Sequence, residues 1–181
     1  MEAIHFEGIL RIREIPPEWT DAEFRYWWCD ERTESGMLIH RARMSEREKD
    51  RWTVVEARNL LMSAGRTQLL TFAGASGTTV AFAQFYAVGT GSIFTVQPAD
   101  TSLATELFRL APASFSVVGN SVTITTNFST SQGNGTYTNA GLFGNGATST
   151  PGSGTLMTHI LYNYTKTSAN AIANDYLISL T

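Results

Sequence analysis

Cysteine is almost missing from this chain of 181 residues, and the single Cys29 allows no disulfide within it. Histidine is scarce too. His5, His40 and His159 lie far apart, none with a second His or Cys at ligand spacing, so no metal centre is expected. No run reaches the roughly 18 apolar residues that a membrane-spanning helix needs. Residues 1–7 lack the basic start and apolar core of a secretory signal, which makes synthesis in a cytoplasm the expectation. The deepest shortage is of charge. Beyond residue 66 only Asp100, Glu106, Arg109, Lys166 and Asp175 are charged. Acid–base and nucleophilic chemistry need ionisable groups gathered in a pocket. A segment nearly without them reads as a scaffold or a binding surface; an enzyme is not expected, and no cofactor is implied.

Catalytic and phosphate-binding motifs are missing as well. There is no Gly-x-x-x-x-Gly-Lys-Ser/Thr, and Gly89-Thr90-Gly91 and Gly144-Asn145-Gly146 lack the third glycine of a dinucleotide fingerprint. No Gly-x-Ser-x-Gly occurs, and a triad through His159 would need Asp100 or Asp175 beside it, which sequence does not place. A net charge of −3 gives no basic footprint for nucleic acid.

What is present is divided unequally. Residues 1–66 hold 11 of the 13 Lys/Arg, 13 of the 16 Asp/Glu and all four tryptophans. Residues 6–15 alternate apolar and charged positions, as an edge strand or extended arm would. A short helix is expected from about residue 17 to 28. A second starts at the capping box Ser45-Glu46-Arg47-Glu48 and carries Trp52, Val55, Leu60 and Leu61 at helical spacing, with a stop or kink at Ala64-Gly65. Residues 1–74 thus read as a charged, Trp-rich arm with one or two helices. Trp19, Trp27, Trp28 and Trp52 are its candidate interface anchors, since buried aromatics dominate interface energetics.

Residues 75–181 change to a period of two. Runs at 80–89, 114–118, 121–127, 136–143, 155–164 and 171–180 read as strands. Gly119-Asn120 sits between two of them at hairpin spacing. At most one helical turn is expected, near residues 103–109. The glycine-rich stretch 144–154 reads as a plain connection. Short strands with Gly-rich turns make the fold class mainly β, an antiparallel β-sandwich of jelly-roll or immunoglobulin-like kind. Tyr86, Tyr137, Tyr162, Tyr164 and Tyr176 could offer stacking faces to a sugar, although half-buried strand positions explain each of them better. Tyr137 and Tyr162 are the candidate glycan contacts.

A set of short pieces recurs in order along the chain. They are Asn59-Leu60-Leu61 with Gly65-Arg66; Phe85 to Gly91; Ala99 to Arg109; Asn139-Ala140-Gly141-Leu142-Phe143; Gly154 to Met157; and Thr165-Lys166-Thr167 with the closing strand. In order and spacing this set resembles a broad group of tailed-bacteriophage virion proteins of tail, neck and fibre. The resemblance implies a β-sandwich structural subunit of a virion that works as a homo-oligomer (a ring, trimer or hexamer) without catalysis. It also implies attachment to other virion proteins through the variable N-terminal part, so that removing residues 1–44 should leave the β domain folded. A receptor- or glycan-binding appendage module and a capsid decoration protein are the alternative readings.

Overall fold

The computed structural model describes residues 6–15, 31–32, 38–39, 53–74, 82–92 and 95–180. Strand β1 (Phe6–Ile15) puts Leu10 and Ile12, both fully buried, on one face and Arg11 and Arg13 on the other. Strands β2 (Glu31–Arg32) and β3 (Leu38–Ile39) form a small two-stranded sheet. They are followed by β4 (Thr53–Leu61), helix α1 (Ser63–Gly74), β5 (Phe85–Gly89), β6 (Glu106–Leu110) and β7 (Ser114–Val118). Next come β8 (Ser121–Phe128), β9 (Gly135–Gly144), β10 (Thr155–Lys166) and β11 (Ala171–Leu180). The large sheet runs β6-β5-β9-β10-β4-β1-β11-β8-β7, and every pairing is antiparallel.

Strand β4 divides this sheet in two. Its residues 53–59 pair with β1, while Leu60 and Leu61 pair with His159 and Thr158 of β10. The result is two antiparallel sheets of five strands each that share β4, an arrangement consistent with a β-sandwich. One core joins both sheets. Leu10, Ile12, Ile124, Phe128, Ile172 and Tyr176 come from one, Tyr86, Val88, Ala140, Leu142 and Ile160 from the other. Aromatic contacts cross the interior, with ring centroids 5.8 Å apart for Tyr86–Phe128 and 5.1 Å for Phe108–Phe128.

Several expectations are corrected. Residues 53–61 are strand, not helix. The β-branched run Thr53-Val54-Val55 favours the extended chain, and β4 has a partner on each side. The helix begins at Ser63, beside the expected stop or kink, and runs through residues 66–72, where a further helical turn ending at Gly74 was expected. Residues 106–110 are strand, not a helical turn, because they complete the ladder beside β5. Strand β1 is no arm: it lies between β4 and β11, so residues 6–15 and 53–61 belong to the sandwich, and the boundary at 74/75 does not separate arm from sandwich. The helix expected over 17–28, the capping box at Ser45, and Trp19, Trp27, Trp28 and Trp52 lie outside the described residues.

The hairpin at Gly119-Asn120 has the form expected of it. Val118 faces Ser121 across a two-residue loop, and only Gly119 has positive φ (+55°), the signature of a type II′ turn. Among the described residues no helix is long and apolar enough to cross a membrane.

Candidate interaction site

Among the described residues the two sheets are joined at β4 and open at the opposite side. There β6 ends one sheet and β7 the other, and residues 111–113 connect the two edges directly. All the exposed large apolar side chains among the described residues lie on these two strands: Leu107 (40% exposed), Phe115 (54%), Val117 (68%) and Val118 (64%). Phe115 and Val117 share a sheet face with Ile124 and Val122, their partners in β8. Ile124 is buried, but the opposite sheet leaves β7 uncovered.

An exposed edge strand is a template for another strand, and soluble proteins guard such edges with Lys, Pro, bulges or a covering element. Strand β7 has none of the first three. Its five residues are Ser-Phe-Ser-Val-Val, its register with β8 runs without a shift, and no Asp, Glu, Lys or Arg occurs between residues 110 and 165. By contrast, the ladders of β6 with β5 and of β10 with β9 contain register shifts. Covering β7 would remove apolar surface from water at roughly 25 cal/mol per Å², so covering it favours association.

The opposite face of the β5-β9-β10 sheet is covered by residues 90–92 and 95–105. Thr90 N–H and Gly91 N–H donate to the carbonyls of Thr105 (3.0 Å) and Ala104 (3.1 Å). Asn139 Nδ2 donates to the Ala104 carbonyl at 3.3 Å. Gly141 must be glycine here, since a Cβ would sit 2.4 Å from the Thr158 carbonyl oxygen. Helix α1 reaches the same layer through Met62 N–H to Met157 O (2.9 Å) and Ser63 N–H to Pro98 O (2.8 Å), which satisfy amides at its start.

Ionisable groups in this region hold loops in place. Buried Arg109 pairs with Glu106, stacks 4.5 Å from the Phe143 ring centroid, and donates through Nη1 to Thr148 O and Ser153 O, both at 3.0 Å. Gly152 N–H returns a bond to Glu106 at 3.1 Å, so the stretch 144–154 is a pinned loop and not a plain connection. His159 Nδ1 lies 2.8 Å from Asp100 Oδ2, the pairing that sequence could not place. Among the described residues its buried Nε2 has no hydrogen-bond partner. Asp175 is elsewhere, against Arg13 (2.9 Å) and Thr125 Oγ1 (2.6 Å). Lys166 is enclosed by neutral oxygens, Asn134 Oδ1 at 2.8 Å and the carbonyls of Thr167 and Thr130 at 3.3 and 3.4 Å. Burial pushes its amine below the usual lysine range.

The candidate glycan contacts are not available as stacking faces. Tyr137 is fully buried, its hydroxyl donating to the Gly133 carbonyl. Tyr162 is half-buried with its hydroxyl enclosed, its ring 6.3 Å from that of Tyr137. Both pack into the interior because the strand pleat turns them there. Sequence reasoning missed Phe115, Val117 and Val118 as site residues. Their one sequence signal was an apolar strand lacking any charged neighbour. No family model matches this chain, and no curated protein or solved structure does either.

Proposed function

We propose that this chain is a non-catalytic structural subunit of a tailed-bacteriophage virion, assembling with copies of itself in a tail, neck or fibre. The observation that carries the reading is the uncharged edge strand β7, whose Phe115, Val117 and Val118 a lone soluble molecule would leave in water. The finer fold, a jelly-roll or immunoglobulin-like sandwich, belongs to the same proposal. So does docking to other virion proteins through the Trp-bearing N-terminal segment. Support also comes from the near absence of charge after residue 66. Copies of such a domain approach one another with little Coulomb repulsion. The resembling pieces of sequence have a shared structural use. Gly91, Ala104, Arg109, Asn139, Gly141 and Met157 all serve the covering layer, the pinned loop and the start of α1.

The experiment is protein mass spectrometry on washed virions from cells expressing the tagged chain with its phage. Recovery in several copies per particle is the expected result. A chain found only in the cleared lysate would contradict the proposal.

A further inference from the structure

We infer that β7 pairs antiparallel with β7 of a second copy about a two-fold axis at Ser116, joining two five-stranded sheets into one. This rests on the reading of the chain as a self-assembling subunit and names the surface and the register.

The hairpin sets the hydrogen-bond alternation along β7. In a two-residue hairpin the residues flanking the loop form a hydrogen-bonded pair, here Val118 and Ser121. Pairs then alternate along the ladder, so Ser116 bonds inward to Thr123, while the N–H and C=O groups of Phe115 and Val117 point away from β8. Those are the same two residues whose side chains are exposed on the core-facing side. Unused backbone groups and uncovered apolar side chains coincide.

Only one kind of partner strand is already complementary to this edge. With a two-fold axis at Ser116, Phe115 of one copy faces Val117 of the other, and Val117 faces Phe115. Both pairs fall at positions whose backbone groups point outward, so each exchanges two hydrogen bonds. Each also sets an aromatic ring against a β-branched side chain, a favourable cross-strand pair. On the other face Val118 meets Ser114 of the second copy. The strand carries no charge, so self-pairing brings no like charges together. An isologous contact of this kind requires a surface complementary to itself, and β7 has one.

Cysteine trapping tests the register, with Cys29→Ser as the parent so that no native thiol competes. Ser116→Cys would face its own copy in a non-hydrogen-bonded pair, with Cα atoms about 4.5 Å apart, inside the range a disulfide spans. Ser114→Cys would lie about four residues from its equivalent, roughly 13 Å along the strand. Under mild oxidation the Ser116→Cys variant should convert to a covalent dimer, at least tenfold more than the Ser114→Cys variant. Equal crosslinking of the two, or none at Ser116→Cys, would overturn the pairing. Light scattering on the Cys29→Ser parent separates the two claims. A parent that associates while Ser116→Cys stays uncrosslinked removes the β7 pairing and leaves self-assembly standing; a parent that is monomeric at every concentration removes both.

Discussion

Arg109 and Lys166 are the only cations after residue 66, and both are buried in structural roles. Arg109 is a pinning residue: it faces Glu106, two carbonyls of the 144–154 loop and the Phe143 ring at once. Replacing it with Ala would leave the Glu106 carboxylate enclosed without its partner, a change that typically costs about 3–5 kcal/mol. Chemical denaturation of Arg109→Ala should show a loss of that order, with protease cleavage appearing in residues 145–154. The interior tyrosines make a second prediction. Burial raises the hydroxyl pKa of Tyr86, Tyr137, Tyr162 and Tyr164 above the ordinary value of 10. An unfolded chain therefore gives up these protons first, and stability falls as pH climbs past 10. Lys166, lowered by burial, works in the opposite sense but is one group against four. Absorbance at 295 nm should show tyrosinate appearing together with unfolding; ionisation of all the tyrosines near pH 10 in a still-folded protein would contradict the burial.

Elements differed in how far sequence revealed them. Strands β7 to β11 were legible because each has its own period of two and its own turn signal, above all Gly119-Asn120. Strand β4 was not. Its apolar residues also fit helical spacing, and what makes it a strand is pairing with β1 and β10, about 45 and 100 residues away in sequence. Strand β6 was misread for the same reason, since its ladder with β5 decides it. Removing residues 1–44 takes β1 out from between β4 and β11 and strips Leu10 and Ile12, both fully buried, from the core. The truncated protein should lose its β-sheet circular dichroism and cooperative melting. A folded, cooperative truncation product would show that β1 is dispensable. The candidate site was the least legible part. Phe115, Val117 and Val118 look like any core strand until the sheet order puts β7 at an edge.

At the scale of the whole molecule, among the described residues one side of the sandwich is closed by β4 and the other is left open, with the uncharged, apolar β7 at its edge. That asymmetry is the physical reason to expect assembly. A five-residue edge is a small contact, and stable interfaces usually bury about 1,200–2,000 Å². Association through it alone should therefore depend on concentration and strengthen when copies are held together on a particle. The most direct measurement is multi-angle light scattering of the full chain across a concentration series, beside Val117→Lys, which puts a charge on the exposed edge without touching the core. The account predicts a wild-type mass that rises above the monomer with concentration, and a folded Val117→Lys variant that stays monomeric. A wild type that remains monomeric throughout, or a variant that associates as the wild type does, would contradict it.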